Sequence, residues 1–313
     1  MEISKIKHFS VILNPIAGKG NAIKKLPIIK QFFKDNNLNY EIHITESIGH
    51  AIVLAEELCK NSQTAVIAAG GDGTTNEVIN GLMHAKNKNP EFTPVFGVLA
   101  IGRGNDFAFG AGVPDTIEGC LKALIEGDIK AMDVGLIKGG DYPAGRYFGN
   151  GIGVGFDTIV GLEAAKMKHI HGAAGYMIGA LKTIITYPAV PEIEMEINGE
   201  IDVYTPALVS IMNGRRMGGA FFMAPDGKNN DGLLNLCITQ QGTRLKLLQT
   251  MFHYTKGTQE QLDNTKTALI SSITLKAIKG GMAIHADGET ICENGKLLEI
   301  SCIPDALNII KEN

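Results

Sequence analysis

One stretch narrows the possible folds more than any other. Thr64–Ala69 (TAVIAA) is a short apolar run, Gly70-Gly71-Asp72-Gly73 follows at once, and Val78, Ile79, Leu82 and Met83 then recur at helical spacing. A buried strand, a glycine turn and an amphipathic helix in direct succession make half of a βαβ unit. Such units build parallel sheets with helices on both faces. The turn also poses a chemical question. Glycine turns that open helices attract anions, yet this one carries a carboxylate, Asp72. Thr74 and Glu77 have the spacing of a capping box, which assigns Glu77 to closing the start of its own helix.

The same alternation runs through the first third of the chain. His8–Asn14, Asn39–Thr45, Ala65–Ala69 and Val95–Ile101 read as strands. Asn21–Phe33, His50–Leu58, Thr75–His84 and Asp115–Ile125 read as helices, the last stopped by Gly127. Ligands of open parallel sheets bind beyond the carboxyl ends of the strands. The glycine-rich stretches all follow strands, so they are expected on one rim.

From about Ile129 the texture changes to strands: Ala131–Ile137, Tyr147–Val154, Ile193–Ile197, Ile201–Tyr204, Ala207–Met212, Leu233–Ile238, Ile273–Ile278 and Met282–His285. Asn198-Gly199 between two alternating runs predicts a type I′ hairpin. Helices are expected near Ala173–Thr186 and Leu245–Tyr254. The division is therefore an α/β domain over 1–130, with a parallel sheet flanked by helices, and a β-rich, sandwich-like domain over 131–303. The tail Asp305–Lys311 (DALNIIK) reads as a short helix, so that 304–313 forms a C-terminal helix packing back on the first domain.

Composition excludes several roles. The net charge is −4, with no Trp and few aromatics, which argues against a nucleic-acid partner. The five cysteines include no CxxC pair, which fits reduced, buried thiols and a cytoplasmic location. The opening MEISKIKHFSVILNP lacks a leader-type apolar core. No apolar run approaches the ~20 residues that span a bilayer. If the protein meets a membrane, it therefore does so from the surface.

Four further stretches carry chemistry. In Asn14–Gly20 (NPIAGKG) backbone amides can converge on an anion, with Lys19 a phosphate contact, although a plain turn explains the glycines equally well. Ile101–Phe107 (IGRGNDF) places a second acid, Asp106, on the same rim, with an Asn105-Asp106 cap as the structural alternative. Two carboxylates on adjacent loops can hold Mg²⁺ through water beside phosphates. Asp287-Gly288 within His285–Glu289 (HADGE) reads as a hairpin turn, and Ala224–Leu234 (APDGKNNDGLL) as a solvated turn or a hard-cation site around Asp231. The eight histidines form no metal pattern, and no G-x-S-x-G elbow occurs.

These stretches stand in the order seen in the diacylglycerol-kinase-like family of lipid kinases, which includes bacterial diacylglycerol kinases and sphingosine kinases. The chain resembles that family over nearly its whole length, most specifically in GGDGT with its NEVINGL helix. NAD kinases share GGDGT, but their Thr-Pro-Thr-Gly-Ser-type stretch is not found here. The resemblance implies an ATP site in the cleft between two domains. Asn14, Pro15, Gly18 and Lys19 would meet phosphates, Thr45 the nucleotide, and Gly70, Gly71, Gly73, Thr74 and Thr75 would form the central loop. Asp72 and Asp106 would organise Mg²⁺, and Glu289 would accept the proton of the lipid hydroxyl. Asp231, with backbone oxygens of Lys228 and Leu233, matches a structural Mg²⁺ site. Gly102-Arg103-Gly104-Asn105 departs from the family's Gly-Thr-Thr/Gly-Asn, so Arg103 replaces a small hydroxyl residue as a nucleotide contact.

The expected activity is ATP- and Mg²⁺-dependent phosphorylation of a lipid hydroxyl, diacylglycerol or a related lipid, by a cytoplasmic protein peripheral at the membrane. Its partner is a lipid substrate at the membrane surface, and homodimerisation is left open. A kinase of a soluble hydroxyl compound such as NAD, and a non-catalytic nucleotide- or lipid-binding regulator, are the rivals. The apolar face Tyr176, Ile178, Leu181 and Ile185 reads as core packing or as lipid contact. Arg215–Pro225 (RRMGGAFFMAP) reads as a strand with a basic flank or as a contact for anionic lipid.

Overall fold

The structure, a computed structural model, describes residues 2–165, 173–186 and 190–312. His169, His171 and the side chain of Tyr176 lie outside the described residues. The chain divides into two compact units, Met1–Val134 with Pro304–Asn313, and Gly135–Ile303.

The first unit runs β1 (His8–Leu13), α1 (Ala17–Asp35), β2 (Tyr40–Ile44), α2 (His50–Leu58), β3 (Thr64–Gly70), α3 (Asp72–Lys88), β4 (Val95–Ala100), α4 (Asp106–Ala111) and α5 (Ile117–Glu126). Its sheet has the order β2-β1-β3-β4, with every neighbour parallel. Each residue of β3 and β4 is buried. That is the pattern of strands covered on both faces, and it explains their unbroken apolar runs. The chain reverses direction across the sheet between β1 and β3, and this switch point is where open α/β sheets bind ligands.

The capping-box expectation fails in an informative way. α3 starts at Asp72, and its N-cap Gly71 supplies no side chain. Glu77 instead crosses to α2, where Oε1 accepts from Gly49 N–H at 2.9 Å and Oε2 from Ala51 N–H at 3.2 Å. The N-cap of α2 is a glycine with φ 83°, so its first-turn amides need an outside acceptor. Glu77→Ala removes it, with an expected loss of about 1–3 kcal/mol of stability. Chemical denaturation reads this directly, and an unchanged midpoint would refute the cap.

The second unit contains β6 (Tyr142–Phe148), preceded by β5 (Asp128–Gly139), which passes through the boundary. There follow β7 (Gly151–Gly155), α6 (Phe156–Ala165), α7 (Ala173–Thr186), β8 (Glu192–Ile197), β9 (Glu200–Tyr204), β10 (Pro206–Met212) and β11 (Leu234–Gln240). The remaining elements are α8 (Arg244–Lys256), β12 (Thr265–Ile270), β13 (Ser272–Lys279), β14 (Met282–Ala286), β15 (Glu289–Gly295) and β16 (Leu297–Lys311). One antiparallel sheet has the order β12-β11-β10-β7-β14-β15. Its inner face, with Val154, Val209, Ile238 and Ile284, shares a core with Met195, Ile273 and Leu298 of β8, β13 and β16. Two sheets around one core make a sandwich. The β8–β9 hairpin turns at Asn198 (φ 53°) and Gly199 (φ 85°), as a type I′ turn requires.

The tail is a strand, which corrects the expected C-terminal helix 304–313. Asn308 and Ile309 of β16 pair in parallel with Val95 and Phe96 of β4. Ala306, Leu307, Ile309 and Ile310 are all buried, and two adjacent apolar pairs mimic a helical face when a strand is covered on both sides. Lys86 Nζ binds the carbonyls of Asp305 at 3.2 Å and Ala306 at 2.6 Å. Burial lowers its pKa, against the pull of Asp305. Burial likewise pushes the Cys59 thiol up to about 12 and Cys237 to about 11, so neither is a nucleophile at neutral pH.

Candidate active site

The loops after β1, β2, β3 and β4 share the carboxyl-end rim of the parallel sheet. Backbone and side-chain bonds tie them into one surface. Asn14 N–H donates to Ala69 O at 3.0 Å, and Asn14 Nδ2 donates to Thr74 Oγ1 at 3.1 Å. Thr45 N–H donates to Leu13 O at 2.9 Å, and the threonine is buried. Ile101 N–H donates to Gly70 O at 2.8 Å. Gly18, Lys19 and Gly20 form a run of three left-handed residues. A β-carbon on Gly18 would stand 2.6 Å from Ile101 O, so this loop needs glycine to lie against the β4 loop.

The β3 and β4 loops meet backbone to backbone. A β-carbon on Gly71 would lie 3.0 Å from the Cα of Gly102. Asn105, itself left-handed, accepts from Gly102 N–H at 2.8 Å and so shapes the turn that delivers Asp106. Asp72 Oδ1 accepts from Phe107 N–H at 3.0 Å. The two acids then border one point. A methyl group on Gly104 would lie 3.1 Å from Asp72 Oδ2 and 3.5 Å from Asp106 Oδ2. Gly104 is thus the residue that lets the carboxylates approach, and the amino-acid sequence alone flagged it only as part of a glycine-rich turn. Asp106 is buried, while Lys19 and Arg103 are exposed beside the same loops.

A cluster of carboxylate oxygens, glycine amides and nearby cations suits phosphate held with a hard cation. Among the described residues no three His, Cys, Asp or Glu side chains are grouped to hold a metal ion alone.

Comparison with known proteins gives this arrangement a family. Residues 8–137 match the diacylglycerol kinase catalytic domain, and residues 150–311 match the YegS C-terminal NAD kinase beta sandwich-like domain. A diacylglycerol kinase of Staphylococcus aureus (strain bovine RF122 / ET3-1) is 30% identical over 291 residues, covering 90% of this chain and 86% of the relative. The chain belongs to the diacylglycerol kinase family. As a member of the diacylglycerol kinase family it is a phosphotransferase with an alcohol group as acceptor. Two solved structures from Bacillus anthracis strain Sterne share the fold. One has a TM-score of 0.75 at 23% identity over 98% of both chains. Another, described as a diacylglycerol kinase, has a TM-score of 0.68 at 19% identity, over 98% of this chain and 97% of that one.

In the diacylglycerol kinase family's second domain, the structure fixes the hairpin that bears Glu289. Asp287 (φ 49°) and Gly288 (φ 85°) turn β14 into β15, so the plain hairpin reading of Asp287-Gly288 holds. The Asp287 carboxylate does more than turn. It accepts from the amides of Gly149 at 2.7 Å, Asn150 at 3.0 Å and Gly151 at 2.8 Å. Those bonds explain why one expected strand, Tyr147–Val154, is two. Glu289 is half-buried and opposite Ala286.

Sequence reasoning missed a neighbouring pair. His285 Nε2 lies 2.9 Å from Asp157 Oδ2, and both side chains are nearly buried. Gly153 makes the room, because any side chain there would collide with both groups. Glycine inside a strand marks such close approach, and that was the available signal. Asp231 is exposed, and its Oδ1 accepts from Leu233 N–H at 3.1 Å. Lys228 is also exposed. In Arg215–Pro225 the apolar residues Met217, Phe221 and Met223 are buried core, so they are not a lipid contact. Arg215 Nε donates to Pro225 O at 2.7 Å. No helix among the described residues is long and apolar enough to cross a membrane.

Proposed function

We propose that the chain transfers the γ-phosphate of ATP to a lipid hydroxyl, most simply that of diacylglycerol, in a Mg²⁺-dependent reaction at the cytoplasmic membrane surface. The observation that carries this is the meeting of Asp72 and Asp106 at Gly104, on the rim of a diacylglycerol kinase catalytic domain. The names of the Staphylococcus aureus relatives support the acceptor class.

Bound Mg²⁺ would supply charge neutralisation for the phosphates of ATP. Asp72 and Asp106 are the residues that would hold it, with Asp72 oriented by the Phe107 amide. Asn14, Pro15, Gly18, Lys19, Gly70, Gly71, Gly73, Thr74 and Thr75 are the proposed phosphate-side surface, and Thr45, Arg103 and Asn105 the further nucleotide contacts. Glu289 is the proposed proton acceptor. A neutral alcohol is a poor nucleophile, and a carboxylate that takes its proton as attack proceeds contributes about 10²–10⁴-fold. The Asp287 bonds support this role by fixing the turn on which Glu289 stands. A structural cation at Asp231, with the carbonyls of Lys228 and Leu233, belongs to the same proposal.

A panel of acceptors tests the reading: diacylglycerol, a sphingoid base, phosphatidylglycerol and NAD, each with γ-labelled ATP and Mg²⁺. Chromatography should place the label in a lipid product. Label in NAD with none in lipid would overturn the proposal.

A further inference from the structure

Two neighbouring helices of the second unit break the rule for surface helices. α7 buries Ala180, Thr183 and Ile184, and α8 buries Leu247, Thr250 and Tyr254. Ile184 and Leu247 pack together with Ala207 of β10, and the Tyr254 hydroxyl meets Thr239 Oγ1 of β11 at 2.8 Å. Both helices therefore cover the same sheet, and their opposite faces point away from it. An outer face of that kind is ordinarily polar. Here Ile178, Leu181 and Ile185 line it on α7, and Leu245, Leu248 and Phe252 line it on α8. Each set has i, i+3, i+7 spacing, and Ile185, Leu245 and Phe252 are 68%, 78% and 56% exposed.

The charges carried by these two helices have one sign. Neither helix contains Asp or Glu, in a chain whose net charge is −4. Arg244 and Lys256 are exposed there, and Lys256 Nζ lies 4.3 Å from the centre of the Phe252 ring. Lys246 is already paired with Asp263 at 2.6 Å. An apolar stripe with a basic border is the surface that anionic lipid recognises: side chains enter the acyl boundary while cations meet headgroups. A second copy of the chain fits worse, because a self-complementary contact would bring the Arg244 and Lys256 cations of both copies together on helices that carry no carboxylate of their own.

We propose that the outer faces of α7 and α8 form a docking surface for an anionic bilayer. The inference rests on the lipid-kinase reading for the choice of occupant, but vesicle binding needs no turnover. Sedimentation with phosphatidylcholine vesicles containing phosphatidylglycerol, at low salt, measures it. Leu245→Asp with Phe252→Asp should lower partitioning by about tenfold or more, since it removes the inserted apolar area. Arg244→Glu with Lys256→Glu should also lower binding and flatten its salt dependence. Ile201→Asp, 68% exposed on β9, should bind as wild type does. Circular dichroism checks that each variant is folded.

Wild-type binding by both docking variants would overturn the proposal, as would failure of the unmodified chain to bind anionic vesicles. A dimer in solution that Phe252→Asp dissolves, without vesicle binding, would give the face to a second copy and equally overturn it. The docking variants should still phosphorylate a dispersed short-chain diacylglycerol at the wild-type rate. Vesicle binding without any lipid product would instead sink the lipid-kinase reading and leave the docking surface standing.

Discussion

Asp72→Asn should reduce turnover by about 10²–10³-fold or more, the range seen when one preorganised electrostatic contact to a transition state is removed. The substitution changes one oxygen for an amide and keeps the side chain's shape. Oδ1 can still accept from Phe107 N–H, so the β3 and β4 loops should stay in register. What is lost is negative charge beside Gly104, where Asp106 is the other acid. The affinity for ATP in the presence of Mg²⁺ should fall, while the thermal midpoint should hold. Wild-type turnover by Asp72→Asn would remove the carboxylate pair from the mechanism. A collapsed thermal midpoint would instead assign Asp72 to the fold.

The second large effect belongs to Glu289. Glu289→Gln should lower kcat by about 10²–10⁴-fold, because the amide cannot take the acceptor's proton. ATP binding should be unchanged, since no phosphate contact is assigned to this residue. Stability should be unchanged too, because the β14–β15 turn is held by Asp287 and three backbone amides rather than by Glu289. Asp287→Asn is the contrasting variant. It weakens those bonds, so it should destabilise the second unit as well as slow the reaction. If Glu289→Gln alone shifts the unfolding curve and leaves kcat intact, its role is structural.

Much of this molecule was legible before its structure. The parallel sheet announced itself because each β–turn–α unit changes period from apolar run to helical spacing within a few residues, as at Gly70–Val78. The second unit's strands showed through alternation and through Asn198-Gly199. Failures came where distant partners override local pattern. Glu77 has the spacing to cap its own helix but serves the amides of Gly49 and Ala51 on α2, whose glycine N-cap cannot serve them. The tail looked helical because Ala306, Leu307, Ile309 and Ile310 are buried on both sides of a strand. The His285–Asp157 pair joins residues far apart in sequence, and no periodicity records it.

The acids told a similar story. Asp72 and Asp106 were noticed because each breaks a phosphate-seeking turn. How closely they meet depends on Gly104, whose missing side chain is informative only once the loops are folded. The outer face of α7 was ambiguous for the opposite reason. An apolar stripe reads as core until its exposure is seen, and Ile178, Leu181 and Ile185 are exposed.

The most direct test of the whole account is one labelling experiment on three proteins. Wild type, Asp72→Asn and Glu289→Gln are each incubated with γ-labelled ATP, Mg²⁺ and diacylglycerol in mixed micelles, and the lipid phase is resolved by chromatography. The account predicts labelled phosphatidic acid from wild type and almost none from either variant. Equal lipid labelling by all three, or wild-type label confined to a water-soluble acceptor, would contradict it.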